Sequence, residues 1–137
     1  MDFGTFMEFH ARPGRSQAED FAEGWRQVAL AESAGLDAIW MAESHFTPER
    51  AVLTSLMSVG SAIAARTQRV KIGTAVLVLP LTDPMRVAEE TATLDQISEG
   101  RLEFGIGRSG SPAAYDGYGI DYSTSSERTF EDLEIIK

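Results

Sequence analysis

The chain contains no cysteine, which excludes disulfides, thiolate metal sites and a cysteine nucleophile. Cations are scarce: 12 Lys and Arg stand against 21 Asp and Glu, a formal charge of −9 at pH 7. Binding to a nucleic-acid phosphate backbone needs a net basic face, so that class of partner is disfavoured. Long apolar runs are missing as well. The longest charge-free stretch, Ala51–Ala65, contains three serines and is shorter than the roughly 20 apolar residues of a membrane span. Residues Met1 to Met7 carry Asp2 and no basic segment, so no signal peptide is read there. The expectation is a soluble, cytoplasmic protein with no membrane partner. Length is also limited: 137 residues are too few for a complete eight-stranded (β/α) barrel, which takes roughly 250.

The composition is otherwise that of a globular domain, 43% hydrophobic and 24% charged, with no linker or low-complexity tract. Four apolar runs recur: Phe3–Met7, Ala38–Ala42, Val70–Leu79 and Leu102–Ile106. Their midpoints at Thr5, Trp40, Thr74 and Phe104 are 30 to 35 residues apart, the length of a strand plus its crossover helix. Helix signals fill the gaps. Ser16-Gln-Ala-Glu19 has the form of a capping box before Phe21, Trp25 and Val28, with Gly35 as the stop. Val52–Ala65 has an apolar face and an opposite face of Ser, Ala and Gly. Asp83-Pro84 reads as an N-cap and first helical residue of a helix ending at Gly100. Thr124-Ser-Ser-Glu127 has the form of another capping box, and its helix runs to Lys137 without a stop signal. Strand–helix alternation predicts a parallel α/β fold, either an open sheet or half of a barrel.

Parallel α/β folds collect functional groups past the carboxyl ends of their strands. That rule nominates Glu8–His10, Glu43–His45, Thr74–Val76 and Gly105–Gly110. His45 is a candidate proton donor or acceptor because imidazole titrates near neutral pH, and Glu43 is placed to orient it. The two Glu-x-His pairs also suggest a divalent metal, but two pairs are a weak signal and no metal is expected. Gly105-Ile-Gly-Arg-Ser-Gly110 matches G-x-G-x-x-G in letters. It comes after the fourth strand and not the first, and Pro112, Gly117 and Gly119 interrupt the residues beyond it, so a dinucleotide fold is not read from it. The inference that survives is a backbone open to a flat or phosphorylated ligand, with Arg108 as a fixed positive charge. The uncharged helix over 52–65 reads as an interface, since a solvent-facing helix carries charge on its outer side.

Gly35-Leu-Asp-Ala-Ile-Trp40-Met-Ala-Glu-Ser-His-Phe46 resembles the second-strand signature of the bacterial-luciferase-like flavin monooxygenases. The segments Gly73–Pro80, Asp83-Pro-Met-Arg86, Leu94-Asp95 and Gly100–Arg108 are similar to the same family, as is Phe3-Gly-Thr-Phe6. The resemblance implies a (β/α)8 TIM barrel, with residues 1–137 as the N-terminal part of one barrel domain, about its first four βα units. It implies an oxidoreductase that uses reduced FMN and O2 on a small organic substrate. It also implies a flavin reductase to supply the reduced flavin, and a homodimer through the helix 52–65. Some relatives instead use a deazaflavin coenzyme for hydride transfer. A self-associating half-barrel without turnover is the alternative from another class.

Carried over by position, Thr74, Ala75 and Val76 match the third-strand end that backs the isoalloxazine ring. In relatives the peptide after the position of Ala75 can be cis. Gly107 and Arg108 match fourth-strand positions beside the flavin, the arginine directed to its phosphate or ribityl chain. His45 matches the second histidine of the family's Glu-His-His triplet, after Glu43. Ser44 stands where the family has the first histidine, the one most associated with luciferase chemistry.

Overall fold

A strand with parallel neighbours on both sides and cover on both faces is apolar throughout. Ala38–Met41 (β2) is such a strand in the computed structural model, which describes residues 1–137. It lies between Gly4–Met7 (β1) and Lys71–Thr74 (β3), in register from Gly4↔Ala38 to Met7↔Met41 and from Ala38↔Lys71 to Met41↔Thr74. Leu102–Glu103 (β5) pairs beyond β3, completing a parallel sheet of order β1-β2-β3-β5. Leu77–Val78 (β4) and Ile106–Gly107 (β6) form a second parallel pair. The helices are Gln17–Ser33 (α1), Leu56–Ala64 (α2), Pro84–Ser98 (α3), Pro112–Tyr118 (α4) and Ser125–Ile136 (α5).

Two expected strands are each broken in two. Val70–Leu79 is not one strand, because its pairing changes partner midway. Ala75 N–H donates to the Met41 carbonyl on β2 at 2.6 Å, whereas Leu77 N–H donates to the Gly105 carbonyl at 3.0 Å. The Ala75–Val76 peptide between them is cis, and Leu79–Leu81 then makes a 3₁₀ turn. Leu102–Ile106 divides at Phe104 and Gly105, where the Gly105 N–H bonds to the Thr74 hydroxyl and the Gly105 carbonyl takes that hydroxyl as well as Leu77 N–H.

Helix α1 is capped as expected: Ser16 accepts from Glu19 N–H and the Glu19 carboxylate accepts from Ser16 N–H. Asp83 caps α3 by accepting from Arg86 N–H at 3.0 Å, with Pro84 first in the helix. The expected helix over Val52–Ala65 starts only at Leu56. Its first residues are claimed by backbone bonds to other segments: Val52 N–H to the Phe9 carbonyl at 3.0 Å and Ser44 N–H to the Leu53 carbonyl at 2.9 Å. The box at Thr124 does not form. Thr124 is already helical and its hydroxyl donates to the Asp121 carbonyl, while Asp121 caps a preceding 3₁₀ turn, Tyr122–Thr124. Helix α4 is the unexpected element. Pro112 is its first residue and Gly119, at φ 69°, its left-handed stop, so two of the residues read as interruptions are the ends of a helix and the third, Gly117, lies inside it.

The main core lies between the sheet and helices α1 to α3, around Ile39, Met41, Leu53, Ile63, Ile72 and Leu94. Each such side chain contributes about 1.5–3 kcal/mol when fully buried. Phe9 packs on Phe21 and Trp25 at ring distances of 5.4 and 5.3 Å, fixing α1 beneath the end of β1. Arg101 ties the start of β5 to the end of α2, donating to the carbonyls of Ala64 at 3.0 Å, Thr67 at 3.2 Å and Val70 at 3.1 Å. A smaller core of Val78, Leu81, Ala114 and Tyr115 seats α4 beside β4. Strands β1 and β5 are the two edges of the sheet, with Phe6 of β1 and Phe104 just after β5 exposed.

Candidate functional site

Parallel pairing brings the residues just past β1, β2, β4 and β6 to one end of the molecule. Three non-glycine residues there have positive φ: Phe9 at 52°, Phe46 at 57° and Ser109 at 61°. Such conformations cost on the order of 1–3 kcal/mol and gather where a site requires them.

Glu43 and His45 meet at this end. The Glu43 carboxylate accepts from Val78 N–H at 2.7 Å, and the same oxygen lies 3.4 Å from His45 Nε2. Their side chains are only 6% and 11% exposed, so the pair is well shielded from water. Helix α4 closes over it. Tyr118 Oη is 3.2 Å from His45 Nδ1, and its ring stands edge-on to the imidazole at 5.3 Å and 83°. Burial first, then the charge of Glu43, raises the Tyr118 phenol above its ordinary value. A cavity of about 150 Å³ lined by Glu43, His45, Leu77, Thr82 and Tyr118 lies on one side of the pair. A second pocket of about 110 Å³, lined by Ser44, Arg50, Val78, Ser109 and Ser111, also borders the pair. Ser44 does not substitute for an imidazole: its hydroxyl is bonded to that of Thr47 at 2.6 Å.

The third-strand residues divide in role. Thr74 is 1% exposed and its hydroxyl is fully engaged by Gly105, so it shapes the backbone and offers no free donor. Ala75 and Val76 are half-buried, as is Gly107. A Cβ at Gly107 would come within 2.7 Å of Val76 Cγ2, so a glycine keeps these two chain segments in contact. Together Ala75, Val76 and Gly107 present a small apolar surface without side-chain charge.

Arg108 comes directly after Gly107. Its guanidinium donates to Ser125 Oγ at 3.0 Å and Tyr122 Oη at 3.3 Å, and lies 5.5 Å from the Tyr122 ring centre. Its carbonyl accepts from the Tyr115 hydroxyl. These partners are neutral, and no carboxylate lies within ion-pair distance of Arg108 among the ion pairs of the chain. A cation held by hydroxyls and left uncompensated suits a phosphate. Beside an uncharged apolar surface, that donor set fits a phosphorylated flat ring such as FMN. Sequence reasoning missed Tyr118, Tyr122 and Ser125, because the pattern does not announce α4 and the separations are long.

The second Glu-x-His pair is built differently. Glu8 takes an ion pair from Arg50, while His10 Nδ1 stays 3.7 Å from the same carboxylate and is exposed. No three His, Asp or Glu side chains converge anywhere in the chain. A concavity of about 620 Å³ lies away from these groups between α2 and α3, where Ser55, Ser58 and Ser61 face Arg86, Glu89 and Glu90. No helix is long and apolar enough to cross a membrane.

A parallel α/β sheet whose strand ends gather a shielded carboxylate–imidazole pair and an arginine without a carboxylate partner is the layout of α/β enzymes with a ligand at the carboxyl end of the sheet. The chain belongs to the luciferase-like monooxygenase family, whose model matches residues 1–137. It is 33% identical over 129 residues to the alkanal monooxygenase alpha chain of Photorhabdus laumondii, covering 94% of this chain and 36% of the relative. Among solved structures it is similar to monooxygenase RslO1 from Streptomyces bottropensis, with TM-score 0.91, 30% identity, and coverage of 99% of this chain and 42% of that one. It also matches the oxygenating constituent of 3,6-diketocamphane monooxygenase from Pseudomonas putida, solved in complex with FMN, with TM-score 0.89 and 27% identity over 99% of this chain and 38% of that one. The chain thus spans about two fifths of the length of these relatives, and its α/β fold is that of luciferase-like TIM-barrel monooxygenases over that span.

Proposed function

We propose that the protein forms the first four βα units of a flavin-dependent monooxygenase that uses reduced FMN and O2 to oxidise a small organic substrate. The observation that carries this reading is Arg108, an arginine with neutral partners beside the bare surface of Ala75, Val76 and Gly107. Reduced FMN, when bound, supplies the electrons and the activation of dioxygen. The chain's residues seat and shield: Ala75, Val76 and Gly107 lie against the ring, and Arg108 holds the phosphate. Thr74 backs them through Gly105. His45 holds or moves a proton, with Glu43 setting its orientation.

The two open sheet edges, with Phe6 of β1 and Phe104 just after β5 exposed, support a barrel continued by further strands. The serine face of α2 supports pairing of two copies there. A flavin reductase as supplier of reduced FMN agrees with a relative described as the oxygenating constituent of its enzyme.

Titration of FMN into the protein, followed by flavin fluorescence, tests cofactor binding. Oxygen uptake with enzymatically reduced FMN then separates a monooxygenase from a deazaflavin-dependent hydride-transfer enzyme on the same scaffold. Protein that leaves the FMN signal unchanged would sink the proposal.

A further inference from the structure

We propose that Tyr118 is a positioning residue for His45: its hydroxyl donates to Nδ1 and, with Glu43 beside Nε2, holds the imidazole as the neutral tautomer protonated on Nε2. A carboxylate oxygen 3.4 Å from a ring nitrogen is repelled by a bare lone pair there and attracted by an N–H. The Glu43 oxygen is kept in place by Val78 N–H at 2.7 Å. With the proton on Nε2, the Nδ1 lone pair points at Tyr118 Oη, 3.2 Å away, and a phenol has the O–H to fill it. The raised Tyr118 phenol keeps that O–H protonated.

The tyrosine is itself held. Its ring packs edge-on against both His45 and Phe46, at 5.3 and 5.4 Å. The preceding residue, Gly117, touches the Phe46 ring where a Cβ would come within 2.2 Å. Helix α4 therefore docks closely on the loop after β2, with Gly117 set against the Phe46 ring. Nδ1 of His45 meets the Tyr118 hydroxyl, and Nε2 faces the Glu43 carboxylate at 3.4 Å. Tyr118 itself is 46% exposed, so it forms the outer cover of the pair.

The use of this arrangement rests on the reading of His45 as the proton-handling group of a flavin site, but the geometry itself requires no flavin. The chain has two histidines, so long-range ¹⁵N–¹H spectra of the labelled, flavin-free protein resolve the His45 ring, with His10 as internal control. At mildly alkaline pH His45 is expected as a single Nε2–H species. Tyr118→Phe retains the ring and removes the hydroxyl. It is expected to lower the ratio of Nε2–H to Nδ1–H about fivefold, the effect of one ordinary hydrogen bond, with His10 unmoved. His45 found as Nδ1–H in the unsubstituted protein, or ring-nitrogen shifts unmoved by Tyr118→Phe, overturns the assignment. The unsubstituted spectrum decides alone if the variant does not fold. A clean Nε2–H species together with failure to bind FMN would sink the proposed function and leave the assignment standing.

Discussion

Thr74 and Gly105 exchange two hydrogen bonds: the hydroxyl donates to the Gly105 carbonyl at 2.7 Å and accepts from the Gly105 N–H at 2.8 Å. A side chain thus completes the pairing between two strands at the point where both break. Thr74→Val keeps the shape and removes both bonds. The Gly105 carbonyl retains Leu77 N–H at 3.0 Å, whereas its N–H is left without a partner. A loss of about 1–3 kcal/mol is expected, read as a lower urea midpoint at unchanged slope. Thr74→Ser restores most of it. A midpoint equal to that of the parent would mean that the pair is dispensable.

Gly105 is glycine for lack of space. A Cβ there would lie 2.2 Å from the Thr74 carbonyl oxygen, a backbone atom that cannot rotate away. Gly105→Ala is expected to cost about 3 kcal/mol or more, or to prevent folding, since overpacking here moves a strand. Gly110, five residues on, has open space around it, and Gly110→Ala is expected to stay within about 0.5 kcal/mol of the parent. Thermal unfolding of the two variants makes the comparison; equal melting temperatures would contradict it.

Glu32, near the end of α1, accepts N–H bonds from Gln68, Arg69 and Val70 at 2.9, 3.0 and 3.1 Å, tethering the approach to β3. Burial alone would push its carboxyl up; the three backbone donors outweigh it and hold the group below its ordinary value. A depressed carboxyl stabilises the fold above its unfolded-state value and loses that contribution as pH falls through the folded-state value. Stability is therefore expected to fall in acid, from about pH 5 downward, where the unfolded carboxyl begins to bind protons. Glu32→Gln should lose about 1 kcal/mol at neutral pH, after solvent screening, and show a shallower acid slope. Parallel acid curves for variant and parent would refute the tether's electrostatic part.

Local signals and long-range ones were not equally legible. The Ser16 box and the Asp83-Pro84 start form as written because both partners lie within one turn. The start of α2 did not, because Phe9, far away in sequence, and Ser44, in the loop after β2, take the backbone of Val52 and Leu53. Proline and glycine are ambiguous punctuation. Pro112 and Gly119 read as breaks and bound α4 instead. At the site, Glu43 and His45 were visible because strand alternation places them on one side of a single loop. Tyr118 was not: it reaches His45 across 73 residues, through a helix that the pattern did not announce.

Arg108 has two candidate duties, and they separate by ligand. Its guanidinium bonds to Ser125 and Tyr122 link β6 to α5, and loss of those bonds costs stability whatever the protein binds. A phosphate contact would act only on a phosphorylated ligand. Arg108→Met keeps the length of the stem and removes the charge. If Arg108 holds the FMN phosphate, the variant should bind FMN roughly 10- to 100-fold more weakly, the range of a charge-assisted bond, with riboflavin affinity unchanged. The parent's FMN affinity should also weaken with added salt, and the variant's much less. FMN and riboflavin affinities falling together would assign Arg108 to the packing of α5 alone. Fluorescence titrations with both flavins, at two ionic strengths, distinguish these outcomes.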